Sequence, residues 1–224
     1  IEVLDSAGAV IRAFAPDTAP TGRGGGAGRG RGGADPAAAG GDAEGGGGGR
    51  GRGGFGGGAP PVIAGLNRVN WDLRYTAATT FPGMILWGGN TTGPAAAPGS
   101  YTVRLTVDGK TQTQAFTVKR NPLFADVSNA DLKAQFALAI QIRDKTSEAN
   151  QAVIDVRNVR AQANDRLGKS QDAKLKETGE RLTRTIGAIE EDVYQVRNQS
   201  GQDPLNFPMK INNRLASLLS VVNR

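Results

Sequence analysis

Between Gly22 and Gly58 the sequence is almost entirely Gly, Ala, Arg, Pro and a few acids, and this stretch holds most of the chain's 33 glycines. Such a segment has too few apolar side chains to offset the roughly 1–2 kcal/mol of backbone entropy lost per ordered residue. Residues 18–61 are therefore expected to form a disordered, flexible insertion. Of the 224 residues, two blocks remain that can fold, about 65–122 and 128–224, with a short strand pair at the start.

The strand pair is read from Ile1-Glu-Val-Leu-Asp5 and Val10-Ile-Arg-Ala-Phe14, separated by the turn formers Ser6-Ala7-Gly8. Leu66, Val69, Trp71 and Leu73 suggest a further strand, and Phe81 to Trp87 an apolar segment. The clearest alternation is Tyr101, Val103, Leu105 and Val107 against Thr102, Arg104 and Thr106. Asp108-Gly109 then supplies a hairpin turn, and Thr111–Val118 the return strand. Several short strands with such turns point to a small antiparallel sandwich.

Beyond Pro122 the period changes. Ser128 is placed to cap a helix running to about Leu167, with Leu132, Phe136, Ile140, Ala149, Val153, Val156 and Ala163 at helical spacing. Gly168-Lys-Ser170 interrupts it. A second helix, about 171–197, carries Leu175, Leu182, Ile189 and Val196 at seven-residue intervals, with Ile186 and Val193 between. The short connection makes the two helices antiparallel neighbours. This stripe makes Leu182 and Ile189 the positions whose change to Asp should most damage the helix pair. Ile211, Leu215, Leu218 and Val222 begin a third helix. The expected fold class is α+β: an antiparallel immunoglobulin-like β-sandwich over 1–122, followed over 128–224 by a long antiparallel helical hairpin, the start of a helical bundle. The opening at Ile1 inside a strand and the stop at Arg224 inside a helix suggest a piece of a longer chain.

Cysteine and histidine are both absent, which removes thiol chemistry, the commonest general base and the usual zinc ligands. The net charge of +6 arises from 27 basic and 21 acidic residues that alternate along the helices as on an ordinary solvated surface. No apolar run reaches the ~20 residues that span a bilayer.

Each candidate for chemistry has a plainer reading. The triplets at Arg23, Arg31 and Arg52 resemble RNA-binding RGG segments, but Phe55 is the single interleaved aromatic, and Asp35, Asp42 and Glu44 dilute the charge. Gly28, Gly30 and Gly33 fit a dinucleotide-loop spacing without the strand and helix that it requires. Glu190, Glu191 and Asp192 are consecutive on one helix and splay apart, and Asp126 and Asp131 suit a helix start. Trp71, Phe81, Trp87 and Tyr101 could line a carbohydrate platform but read better as core. The stretch Asn198–Pro208 is either an inter-helix loop with Leu205 and Phe207 plugged into the bundle or a docking surface. No catalytic, cofactor-binding or metal-binding residue is assigned.

Gly65–Tyr75, Phe81–Trp87, Pro98–Lys110 and Tyr194–Pro208 together resemble the C-terminal region of large bacterial proteins with sortilin-like or BNR-repeat β-propellers, often labelled glycosyl hydrolases or sialidase-like. The Gly65-Leu-Asn strand, the Trp71-Asp pair and Pro98-Gly-Ser-Tyr101 are also similar to the immunoglobulin-like module of the flagellar hook-capping family. The resemblance implies a secreted, periplasmic or envelope location, an upstream propeller in the same polypeptide as partner, and a peptide or glycan ligand bound by that propeller. It implies a non-catalytic accessory role here, since neither an Asp-box nor a sialidase's catalytic set can be placed on these residues. Two other classes stay in view: part of a glycosyl hydrolase whose catalytic residues lie upstream, and an RGG-type nucleic-acid-binding segment.

Overall fold

The computed structural model describes residues 1–15, 65–124 and 126–223. The expectations for 18–61, including the RGG triplets and the glycine motif, lie outside the described residues. The chain divides into two compact units, Phe14–Asp72 and the remainder, Ile1–Ala13 with Leu73–Arg224. In the smaller unit the described residues contain no strand, and Leu66 is 92% exposed. The strand expected from Leu66 to Leu73 is not formed.

The larger unit is α+β. Its strands are β1 (Glu2–Leu4), β2 (Val10–Ala13), β3 (Gly99–Val107) and β4 (Lys110–Val118). All pair antiparallel in one sheet of order β2-β1-β3-β4. The expected Asp108-Gly109 turn joins β3 to β4, with positive φ at both residues, 51° and 76°. A second sheet facing the first, which an immunoglobulin-like sandwich requires, is not among the described residues. The physical reason lies in 73–98, where Pro82, Pro94 and Pro98 lack N–H donors, and Leu73, Gly83 and Gly88 adopt positive φ. This segment forms one isolated bridge, Arg74 to Ala95, and is otherwise an irregular strap.

Three α-helices follow: α1 (Asn129–Lys169), α2 (Ala173–Val193) and α3 (Ile211–Val222). Ser128 caps α1 as expected, and its reciprocal partner is Asp131: Asp131 N–H donates to Ser128 Oγ, and Ser128 N–H to the Asp131 carboxylate. Asp172 caps α2 after a three-residue connection, and α2 packs back against α1. No helix is long and apolar enough to cross a membrane.

The helix contacts differ from the heptad reading. Leu175, Leu182 and Ile189 are 46%, 44% and 50% exposed, and Val196 lies beyond the end of α2. The α2 positions that meet α1 include Gly179, Gly187 and Glu190. A Cβ on Gly179 would fall 2.5 Å from Leu167 Cδ2, so glycine permits the close approach. Glu190 is 2% exposed between Arg157 and Arg160, at 2.8 and 2.7 Å. The buried row on α1, Ala139, Ile142, Thr146, Asn150 and Val153, is part polar. It meets Asn212 and Leu219 of α3.

Fully buried Leu219, rather than the heptad row, should therefore dominate helix packing. Leu219→Ala is expected to cost about 2–5 kcal/mol. Leu182→Ala should cost less than about 1.5 kcal/mol, because half of its surface is already wet. Chemical denaturation of the two variants checks the order, and equal losses would contradict this seam.

Candidate functional site

Polar side chains converge most densely where the strap, residues 73–98, lies on the helices. An irregular segment has no ladder partners, and buried backbone N–H and C=O groups left unpaired are costly. Part of the strap pairs with itself: Tyr75 N–H donates to Pro94 O, Ala78 N–H to Thr91 O and Ala96 N–H to Leu73 O. The remainder is met by helix side chains. From α1, Arg143 donates to Thr76 O, Ser147 Oγ accepts from Thr79 N–H at 3.1 Å, and Asn150 Nδ2 donates to Thr79 O at 2.7 Å.

Tyr194, at the end of α2, uses both capacities of its hydroxyl, accepting from Ile85 N–H and donating to Gly83 O. On α3, Asn213 Oδ1 accepts from Trp87 N–H at 2.7 Å while its Nδ2 donates to Trp87 O at 2.8 Å. The carboxamide thus matches the two-bond pattern of a paired strand residue. Ser220 Oγ accepts from Asn90 N–H, and Asn212 Nδ2 donates to Asn150 Oδ1 behind the strap.

Sequence reasoning did not select Asn150, Tyr194, Asn212 or Asn213 for this role. A signal was present: two adjacent asparagines open α3 on the side that the spacing of Ala216 and Leu219 buries.

Shape and electrostatics reinforce the contact. A Cβ on Gly89 would lie 2.8 Å from Ser217 N, so the strap backbone touches α3 directly there. Phe81 packs edge-on against Tyr194 at 5.0 Å, with Val153 beneath them. The Arg157 guanidinium lies over both rings, 4.7 Å from Phe81 and 5.5 Å from Tyr194, while its Nε donates to Glu190. On the other side, the Tyr75 ring lies tilted against Phe136 of α1, 4.7 Å between centroids, and its hydroxyl hydrogen-bonds Tyr101 of β3; burial pushes both tyrosine hydroxyls above their ordinary range.

The earlier candidates do not come together. Glu190 is buried in an ion pair, whereas Glu191 and Asp192 are exposed on other sides of α2. Asp131 is a cap, its carboxyl held below the usual range by Ser128, and Asp126 is exposed. Phe81 and Tyr101 are buried in separate clusters, Trp87 is 39% exposed and Trp71 is half-buried. Leu205 is 66% exposed rather than plugged into the helices, and Phe207 is half-buried beneath the Arg197 guanidinium. The loop around them is organised by Asp203. Its carboxylate accepts from Gln199 N–H at 2.6 Å and Ser200 N–H at 2.8 Å, which holds its pKa below the ordinary aspartate value.

Among the described residues no three His, Cys, Asp or Glu side chains are grouped to hold a metal. A groove of about 660 Å³ lies between Pro94–Pro98, the end of β4 and the start of α1, and is mainly apolar. Its described lining carries Lys119, Arg120, Asn121, Gln135 and Asn223 but no carboxylate or hydroxyl.

Two outcomes follow from this geometry. Asn213→Leu leaves the Trp87 N–H unmet and its carbonyl with only the 3.4 Å bond from Ser217 Oγ, and should destabilise the fold by about 1–3 kcal/mol. Gly89→Ala, which adds one methyl against the α3 backbone, should cost about 1–3 kcal/mol. Thermal unfolding with protection of the Trp87 amide as second readout tests both, and unchanged protection in Asn213→Leu would contradict the pairing. At Asp203 the depressed pKa means that its contribution is present above the unfolded-state pKa and lost as pH falls through the lower folded value. Exchange protection at Gln199 and Ser200 should fall in that acidic window, and an Asp203 carboxyl titrating above the ordinary aspartate value would contradict it.

Compared with protein-family models, with curated proteins and with solved structures, the chain gives no match.

Proposed function

We propose that this chain is a non-catalytic accessory region whose work is to pack beside, space or orient another domain. We place it at the C-terminal end of an extracytoplasmic bacterial polypeptide with a sortilin-like or BNR-repeat β-propeller. The observation that carries the structural role is the strap: the helix asparagines, serines and tyrosine that face it are engaged in holding its backbone, not gathered around a reacting group. The location and the propeller rest on the sequence resemblance alone. In this reading a peptide or glycan ligand would be bound by the propeller, and no nucleic acid is expected. The Asp108-Gly109 hairpin and Pro98-Gly-Ser-Tyr101 support the finer reading of the N-terminal part as an immunoglobulin-like module. The return of α2 along α1 supports the helical hairpin.

The reading is tested by expressing the preceding part of the same polypeptide separately and measuring its association with the 224-residue chain by calorimetry. A specific complex is expected, and the chain alone should not turn over aryl glycosides or peptides. Absence of any complex, or turnover by the isolated chain, would sink the proposal; turnover would favour the hydrolase alternative.

A further inference from the structure

The two edges of the sheet are built differently. β2 is four residues long, pairs with β1 across a register break between Val3 and Leu4, and its Ile11 carbonyl accepts from both N–H and Oγ1 of Thr76. β4 is nine residues long and keeps unbroken register with β3, from Gly99 opposite Val118 to Val107 opposite Lys110. No other described strand pairs with it. Long regular edges are templates for further pairing, and folds commonly blunt them with internal charge, proline or a bulge. Thr111–Val118 carries no charge, no proline and no bulge.

The turn fixes which groups face outward. In a two-residue hairpin the closing residues, here Val107 and Lys110, exchange both backbone hydrogen bonds. Alternation then directs the backbone groups of Gln112, Gln114, Phe116 and Val118 toward β3. Those of Thr111, Thr113, Ala115 and Thr117 point to the open edge. The hydroxyl contact of Thr106 with Thr111, 3.1 Å, fits a non-hydrogen-bonded pair, where side chains come closest.

We propose that β4 pairs with β4 of a second copy of this chain, antiparallel about a two-fold axis at Gln114, so that one sheet runs through both copies. This register opposes Thr113 to Ala115 and Thr111 to Thr117, outward groups in every case, so the full ladder forms. It sets Lys110 against Val118 and Lys119 against Gly109, so no like charges oppose. Just beyond the paired strands, Asp108 of each copy lies at the same end of the seam as Arg120 of the other, whose Nη1 donates to Val127 O of its own chain, so an acid and a base share each end. An axis one residue further on, at Ala115, would instead put Lys110 against Arg120. On one face Gln114 meets its own copy and Phe116 meets Gln112. The incoming strand replaces the 3.2 Å contact that Gln114 Nε2 now makes with Ala115 O.

The sequence has no cysteine, which makes the register directly testable in the full chain. Sedimentation velocity should show a concentration-dependent dimer. Under mild oxidation Gln114→Cys should form a disulfide-linked dimer, since directly opposed Cβ atoms lie about 4.5–5.5 Å apart. Gln112→Cys, facing Phe116, should not. Gln114→Lys, which opposes two lysines at the axis of an exposed position, should weaken self-association at least about fivefold with unchanged melting of the monomer. A chain that stays monomeric at every concentration overturns the proposal. So does a dimer that crosslinks equally well from Gln112→Cys, or one that Gln114→Lys leaves intact.

Discussion

The fold depends on hydrogen-bond satisfaction of a segment that cannot satisfy itself. Residues 73–98 carry prolines and positive-φ positions that prevent a ladder, yet they lie against helices where water is excluded. Each unmet backbone group there would cost on the order of 1–3 kcal/mol. The helices supply what a neighbouring strand would have supplied, with Asn213 acting as a side-chain substitute for a strand residue and Tyr194 bridging two groups with one hydroxyl.

That demand explains the composition of the helix interiors. A helix that only buried apolar surface would present leucine and isoleucine inward, whereas here Asn150, Asn212 and Asn213 are buried beside Val153 and Leu219. The inner faces of α1 and α3 serve two purposes, packing against each other and receiving the strap. The seam between α1 and α2 is likewise set by close approach at Gly179 and by the Arg157–Glu190–Arg160 ion pair, with the leucine row displaced to one flank. Arg157 links both arrangements, since its guanidinium caps the Phe81 and Tyr194 rings while it pairs with Glu190.

The strap also joins the two kinds of secondary structure. Among the described residues the strands and helices make no close backbone approach to one another. Thr76 is bonded to Ile11 of β2 on one side and to Arg143 of α1 on the other, and Tyr75 touches both Tyr101 and Phe136. The sheet and helices are thus tied through one segment anchored at many points, and the β4 edge is presented at the opposite side of the sheet from Thr76.

By itself the sequence determined the local elements: the first hairpin, the Asp108-Gly109 turn between β3 and β4, the Ser128 cap, and three helices close to their observed bounds. These follow from short-range rules of alternation, turn chemistry and capping, which need no knowledge of distant neighbours. The tertiary structure alone decided which helix faces are buried, and it left Leu66–Leu73, expected as a strand, outside the sheet. Seven-residue spacing identifies a row of side chains but not what covers it. Glycine at 179 and the backbone demands of a segment about 60–130 positions away in sequence moved the contact elsewhere. The asparagines of the site were legible as polar residues at positions that helical spacing buries. Their partners were not, because a side-chain bond to distant backbone leaves no periodic trace in either segment.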